Sequence, residues 1–135
     1  MMLSGNGNGA AGTIELTVSI TNTSSHPCSL NGYPGMQLLS AAGASLPTNV
    51  IRGGGPGFLA PAANKPPMLV TLAPGGHAAF SLSYEDVPVG TETSCPTSPK
   101  AEVTPPNDYG YSVVEMQTYA CGGGTIHVSP VYSTS

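Results

Sequence analysis

The nine residues TIELTVSIT at positions 13–21 constrain the fold more than any other stretch of the chain. Ile14, Leu16, Val18 and Ile20 fall on one face of an extended backbone, with Glu15, Thr17, Ser19 and Thr21 on the other. Wound into a helix, the same residues would scatter their apolar side chains around the whole circumference. A period of two held for this length therefore predicts a half-buried antiparallel strand. Full burial of the four apolar side chains contributes roughly 1.5–3 kcal/mol each before the entropy of ordering is set against it. HAAFSLSY (77–84) carries the same alternation, with Ala78, Phe80, Leu82 and Tyr84 facing inward.

Weaker alternation predicts further strands at 36–40, 45–51, 68–72, 101–104, 112–119 and 125–132. No window has helical periodicity with a proper cap. Short strands between turn clusters, in a chain of 135 residues, predict one all-β domain over 13–135, an antiparallel β-sandwich of about seven or eight strands. Pro130 is expected at an edge or a bulge, because proline cannot donate within a ladder. LAPGGH (72–77) and CGGGT (121–125) read as tight reversals. The long Gly- and Pro-rich connection 52–67 reads as a solvated crossover, with a ligand loop as the alternative. It lacks the Gly-Lys-Ser/Thr of a phosphate loop. Residues 1–12, with neither a basic region nor an apolar run, are expected to form a flexible tether and no signal peptide. Leu3-Ser4-Gly5 would suit the start of a lipoprotein processing site, but Asn6 stands where that chemistry needs a cysteine.

Charge narrows the partners. Three Lys plus Arg against seven Asp plus Glu leave a formal net charge of −4. Arg52, Lys65 and Lys100 are dispersed, which argues against nucleic acid and against an anionic membrane surface. No apolar run approaches the ~18 residues that span a bilayer.

Cys28, Cys95 and Cys121 are the only cysteines. If the strands alternate up and down, all three lie at one end of the sandwich, where any two could meet within about 7 Å between Cα atoms. Cys95–Cys121 is the expected pair, which implies an oxidising compartment and leaves Cys28 buried or joined to a partner upstream. Tyr119-Ala120-Cys121 echoes the tyrosine-before-cysteine spacing of immunoglobulin domains, but the chain has no Trp and three glycines follow at once. A sandwich of similar architecture is supported; a true immunoglobulin domain is not.

Several segments occur together in an order that carries a resemblance: ITNTSSHPCSLNGYPGMQL (20–38), VTLAPGGHAAFSLSY (70–84), SCPTSP (94–99), VTPP (103–106) and CGGGTIHVSPVY (121–132). The chain resembles the actinobacterial domain-of-unknown-function family four-two-three-two over residues 10–132. The resemblance implies an extracytoplasmic, immunoglobulin-like all-β domain of secreted, lipoprotein or membrane-anchored envelope proteins. It carries no catalytic or ligand residues. Family members often have a further strand and cysteine ahead of the region matching 13–21, which this chain lacks. Within CSLNGYPG (28–35), Tyr33 is expected to pack its ring and Pro34-Gly35 to turn the chain, with Cys28 anchoring the corner.

The chemistry is sparse. His26, His77 and His127 invite a metal, but a blue-copper site needs a methionine after the last histidine, and the last one is Met116. No two ligands have zinc spacing. There is no Gly-x-Ser-x-Gly elbow. Glu85 and Asp86, as strand neighbours, point to opposite faces and read as a solvated turn. Cys28 lacks a base with an orienting third group, Pro27 separating it from His26. Asn22-Thr23-Ser24 matches a glycosylation acceptor but reads as a polar turn. The expectation is a non-enzymatic envelope domain without cofactor or metal, binding a protein, glycan or lipid through 22–35, 52–67, 85–99 and 120–124. The alternatives are a purely structural spacer and, remotely, a metal-binding sandwich.

Overall fold

A computed structural model describes residues 2–10, 13–53, 58, 61–87, 90, 95–106 and 110–134. Its strands are β1 (Met2–Ala10), β2 (Thr13–Thr21), β3 (Cys28–Asn31), β4 (Gly35–Leu39), β5 (Asn49–Arg52), β6 (Leu69–Leu72), β7 (His77–Glu85), β8 (Ser98–Thr104), β9 (Ser112–Thr118), β10 (Thr125–Val128) and β11 (Tyr132–Ser133). One 3-10 turn, Pro61–Asn64, interrupts the long connection, and no α-helix occurs among the described residues. The protein is all-β, as the alternation requires. The strand count exceeds the expected seven or eight because β1 and β3 lie in segments read as irregular, and 125–132 breaks into two.

The two segments with the cleanest alternation are each other's neighbours. β2 and β7 pair antiparallel over nine residues without a slip, from Thr13↔Glu85 to Thr21↔His77. This places Leu16, Val18 and Ile20 opposite Leu82, Phe80 and Ala78, and all six are buried. They belong to a sheet ordered β1-β2-β7-β10-β5, with β11 also on β7; β3-β6 and β4-β8-β9 form two further sheets. All three contribute to one core, which joins Leu30, Val70 and Leu72 to Leu38, Val103, Val114 and Ile126.

Five expectations are corrected here. Residues 2–10 are not a tether, because they pair with β2 from Met2↔Thr21 to Ala10↔Thr13. A strand ahead of 13–21 is therefore present after all, without the extra cysteine. Glycine and asparagine rank low in strand propensity, yet pairing through the backbone needs no side chain, and β2 offers an open edge. The strand expected over 45–51 begins only at Asn49 and runs parallel to β10, so the pairing is not wholly antiparallel. β8 starts at Ser98, three residues early, with a register shift around Pro99, as a residue without an N–H demands. The crossover 52–67 is not wholly solvated, since Phe58 and Ala63 are buried. Asn64 fixes this segment, its Oδ1 accepting from the Phe58 N–H at 2.8 Å and its Nδ2 donating to the Phe58 carbonyl at 2.7 Å.

Pro130 sits at a bulge. Between Val128↔Leu82 and Tyr132↔Ala79 the chain advances four residues against three on β7. The Ser129 hydroxyl fills the gap, accepting from the Ser81 N–H at 2.9 Å. Both faces of β7 are covered, and Ala79, Ser81 and Ser83 are as buried as its apolar face.

Candidate functional site

The cysteines divide between the two ends of the β2–β7 pair. Cys95 and Cys121 form a disulfide with Cα atoms 5.2 Å apart. The Cys121 N–H donates to the Glu85 carbonyl at 2.9 Å, which puts the bond at the far end of β7. Cys28 pairs with Leu72 and lies beside Asn22, immediately after Thr21↔His77 at the near end. Nine residues of strand separate the ends by roughly 27 Å. The expectation that all three cysteines share one end is therefore wrong. The connections do not alternate up and down, because β3, β4 and β6 leave the six-stranded sheet and β5 returns to it parallel to β10. The surface expected from 22–35, 52–67, 85–99 and 120–124 splits accordingly, and residues 54–57, 59–60, 88–89 and 91–94 lie outside the described residues.

At the disulfide end a cleft of about 230 Å³ opens between Ser83, Tyr84 and Glu85 on β7, Cys121 and Gly122 in the reversal, and Thr125 and His127 on β10. The CGGGT turn shapes its rim. Gly122, Gly123 and Gly124 have φ of 68°, 73° and 80°, a left-handed run that residues with a Cβ resist. At Gly124 an added Cβ would fall 2.0 Å from the Pro47 carbonyl oxygen. Such close approach lets the Asn49 N–H reach the Gly124 carbonyl at 2.9 Å and seat β5.

The described lining of the cleft holds hydrogen-bonding groups and a carboxylate. Glu85 is exposed and accepts from the Thr13 hydroxyl at 2.9 Å. His127 Nδ1 lies 3.0 Å from the Gly53 carbonyl. A carbonyl only accepts, so the proton sits on Nδ1 and Nε2 is left as the acceptor. Burial pushes the Tyr84 hydroxyl above its ordinary range; a backbone hydrogen bond from Tyr119 opposes this and the Asp86 charge adds to it. Cys121 is held in the disulfide and Ser83 is buried.

The histidines do not converge. His77, at the near end of β7, has Nδ1 3.0 Å from the Thr21 hydroxyl, whereas His127 pairs with Ser83, six residues along. His26 lies on the exposed 23–27 turn. Among the described residues no group of three or more His, Cys, Asp or Glu could hold a metal ion.

The near end holds a residue that sequence reading undervalued. Asn22 is buried, and its Nδ2 donates to the His26 and Leu72 carbonyls at 2.8 and 3.0 Å. Its Oδ1 accepts from the Ser24 N–H and hydroxyl at 3.0 and 2.7 Å, and from the Cys28 thiol at 3.5 Å. Its backbone bonds both glycines of LAPGGH: the Gly75 N–H donates to the Asn22 carbonyl at 2.8 Å, and the Asn22 N–H to the Gly76 carbonyl at 3.0 Å. Asn22 thus fastens the turn before Cys28 to the reversal before β7. Buried and bonded in this way, it is structural rather than a glycan acceptor. Its signal in the sequence was an Asn followed two residues later by Ser, the pattern of an Asx turn. Nearby, Arg52 sits over the Tyr33 ring, 5.7 Å from the centroid, and Tyr33 packs against the core.

The model of the family described as domain of unknown function (DUF4232) matches residues 2–132. Neither a curated protein nor a solved structure matches the chain.

Proposed function

The chain belongs to that family, and from this premise we propose that it is a non-enzymatic, extracytoplasmic binding module of the cell envelope. In this reading the three sheets act as an immunoglobulin-like sandwich that presents the disulfide-end cleft to a protein, glycan or lipid. The observation that carries it is the Cys95–Cys121 bond at the rim of that cleft. Disulfides persist in oxidising compartments, and this one braces a concave surface carrying Glu85, Thr125 and His127. No described helix is long and apolar enough to cross a membrane. The secreted or lipoprotein setting is part of the same proposal.

A purely structural spacer is the competing reading. The near-complete pairing of buried polar side chains favours it, with Thr118 Oγ1 alone lacking a partner among the described residues. Retention assays separate the two. The immobilised domain with its disulfide intact is offered purified cell-wall glycan, phospholipid vesicles and envelope protein extract in turn. Retention of one class that is lost in a Glu85→Ala/His127→Ala variant supports the module. Retention of none, or retention indifferent to the variant, supports the spacer.

A further inference from the structure

Three Asn-Gly pairs occur in the chain, at 6–7, 8–9 and 31–32, and the fold treats them differently. Asn6 and Asn8 lie inside β1, paired with Thr17 and Glu15, so the ladder holds their backbone extended. Asn31 is the last residue of β3, paired with Leu69 at the very end of that ladder, and exposed, and Gly32 beyond it leaves the strand with φ of 112°. Nothing lies within 4 Å of where a Gly32 Cβ would be, and the Asn31 side chain makes no hydrogen bond among those found for the described residues. Contrast Asn22 and Asn64, whose amides are bonded on both sides.

We propose that Asn31-Gly32 is a self-modification site, the position at which the folded protein loses an asparagine amide first. The Gly32 backbone nitrogen, on a residue with no side chain of its own, attacks Asn31 Cγ. The new N–C bond closes a five-membered succinimide while the side-chain nitrogen leaves as ammonia, taking the proton given up by the peptide nitrogen. Water then opens the ring at either carbonyl, giving aspartate or isoaspartate at position 31. No oxidant or enzyme is required. The rate depends on how often the attacking atoms reach contact geometry. The last pair of a ladder, followed by a glycine outside the strand, reaches it more readily than Asn6 and Asn8, whose following glycines are themselves paired.

The product bears on the corner that Asn31 leads into. A carboxylate appears in a chain with only three cationic side chains, and the isoaspartyl form adds a backbone carbon just before Gly32. The Gly32 carbonyl accepts from the Val131 N–H at 2.9 Å, the link from this corner to the segment between β10 and β11. Lengthening the chain there weakens that link and the seat of Tyr33.

Incubation of the folded protein at mildly alkaline pH, followed by peptide mass mapping, tests this. Each conversion adds about one mass unit, and a sample in denaturant reports the rates without the fold. Conversion at Asn31 should lead Asn6 and Asn8 by about tenfold in the folded protein, the ratio that ~1.4 kcal/mol of barrier produces. In denaturant the three should converge. An Asn31→Gln variant, at an exposed position, should lose the early acidic species and keep its melting temperature. Asn6 or Asn8 converting first in the folded protein, equal rates in both states, or an early acidic species that survives Asn31→Gln would each overturn the proposal.

Discussion

The Tyr119 hydroxyl accepts a hydrogen bond from the Cys95 backbone N–H at 2.9 Å, so the segments joined by the disulfide are joined a second time two residues away. Tyr119 also meets Tyr84 through its backbone, and Cys121 is bonded to the Glu85 carbonyl. The end of β7, the start of β8 and the end of β9 thereby meet at one knot. Tyr119→Phe keeps the ring and removes the acceptor, leaving the N–H of buried Cys95 unpaired. The expected loss is about 1–3 kcal/mol, read as a lower urea midpoint with an unchanged slope.

The disulfide closes a separation of 26 residues and should stabilise the fold by about 3–4 kcal/mol on the loop-entropy model. A Cys95→Ser/Cys121→Ser variant is expected to melt on the order of 10–15 °C lower. Cys28→Ser should change far less. Mass mapping without reductant should recover one linked pair and one free thiol, and linkage through Cys28 would contradict the described arrangement.

Two neighbouring glycines make a matched comparison. Gly123→Ala meets open space and pays only for its left-handed φ of 73°, about 1–2 kcal/mol. Gly124→Ala adds a methyl that would collide with the Pro47 carbonyl and must displace the turn that seats β5. Thermal melts of the two variants should place Gly124→Ala clearly below Gly123→Ala; equal melts would mean that β5 can shift freely.

Asn22→Ala removes five side-chain hydrogen bonds at once. It leaves the Leu72 carbonyl without the Asn22 amide donor, at a cost of about 2–4 kcal/mol. Hydrogen exchange gives the sharper reading. Protection should fall first at Ser24, Gly75 and Gly76, where Asn22 joins the two turns, and remain high at the disulfide end.

Alkaline pH should act through Tyr84. Its folded pKa is raised above the ordinary 10.0, so between the unfolded and folded values the native state holds a proton that the unfolded chain has lost. The contribution is therefore complete below pH 10 and declines as pH rises through the folded value. Tyr84→Phe should flatten the fall in urea midpoint above pH 10. An identical alkaline limb in variant and parent would assign the effect to other tyrosines.

What the sequence determined by itself was whatever repeats along the chain. The alternation at 13–21 and 77–84 set two strands and the apolar face each turns to the core, because that side follows from a period of two and needs no knowledge of its neighbour. That Glu15 and the Ala79, Ser81 and Ser83 face are buried as well was decided by what packs over them. Turn chemistry was legible for the same reason, since Gly75 of LAPGGH and the three glycines of CGGGT answer to a local positive φ. The Cys95–Cys121 pairing was anticipated, but on the mistaken premise that all three cysteines share one end. Partnership was decided only in three dimensions. Met2–Ala10 became a strand because β2 had an edge to fill, Asn22 became a hub because Gly75 and His26 arrive beside it, and Cys28 was carried to the far end from the disulfide. These outcomes depend on which distant segments meet, and a contact between residues fifty positions apart leaves no periodic trace in either segment.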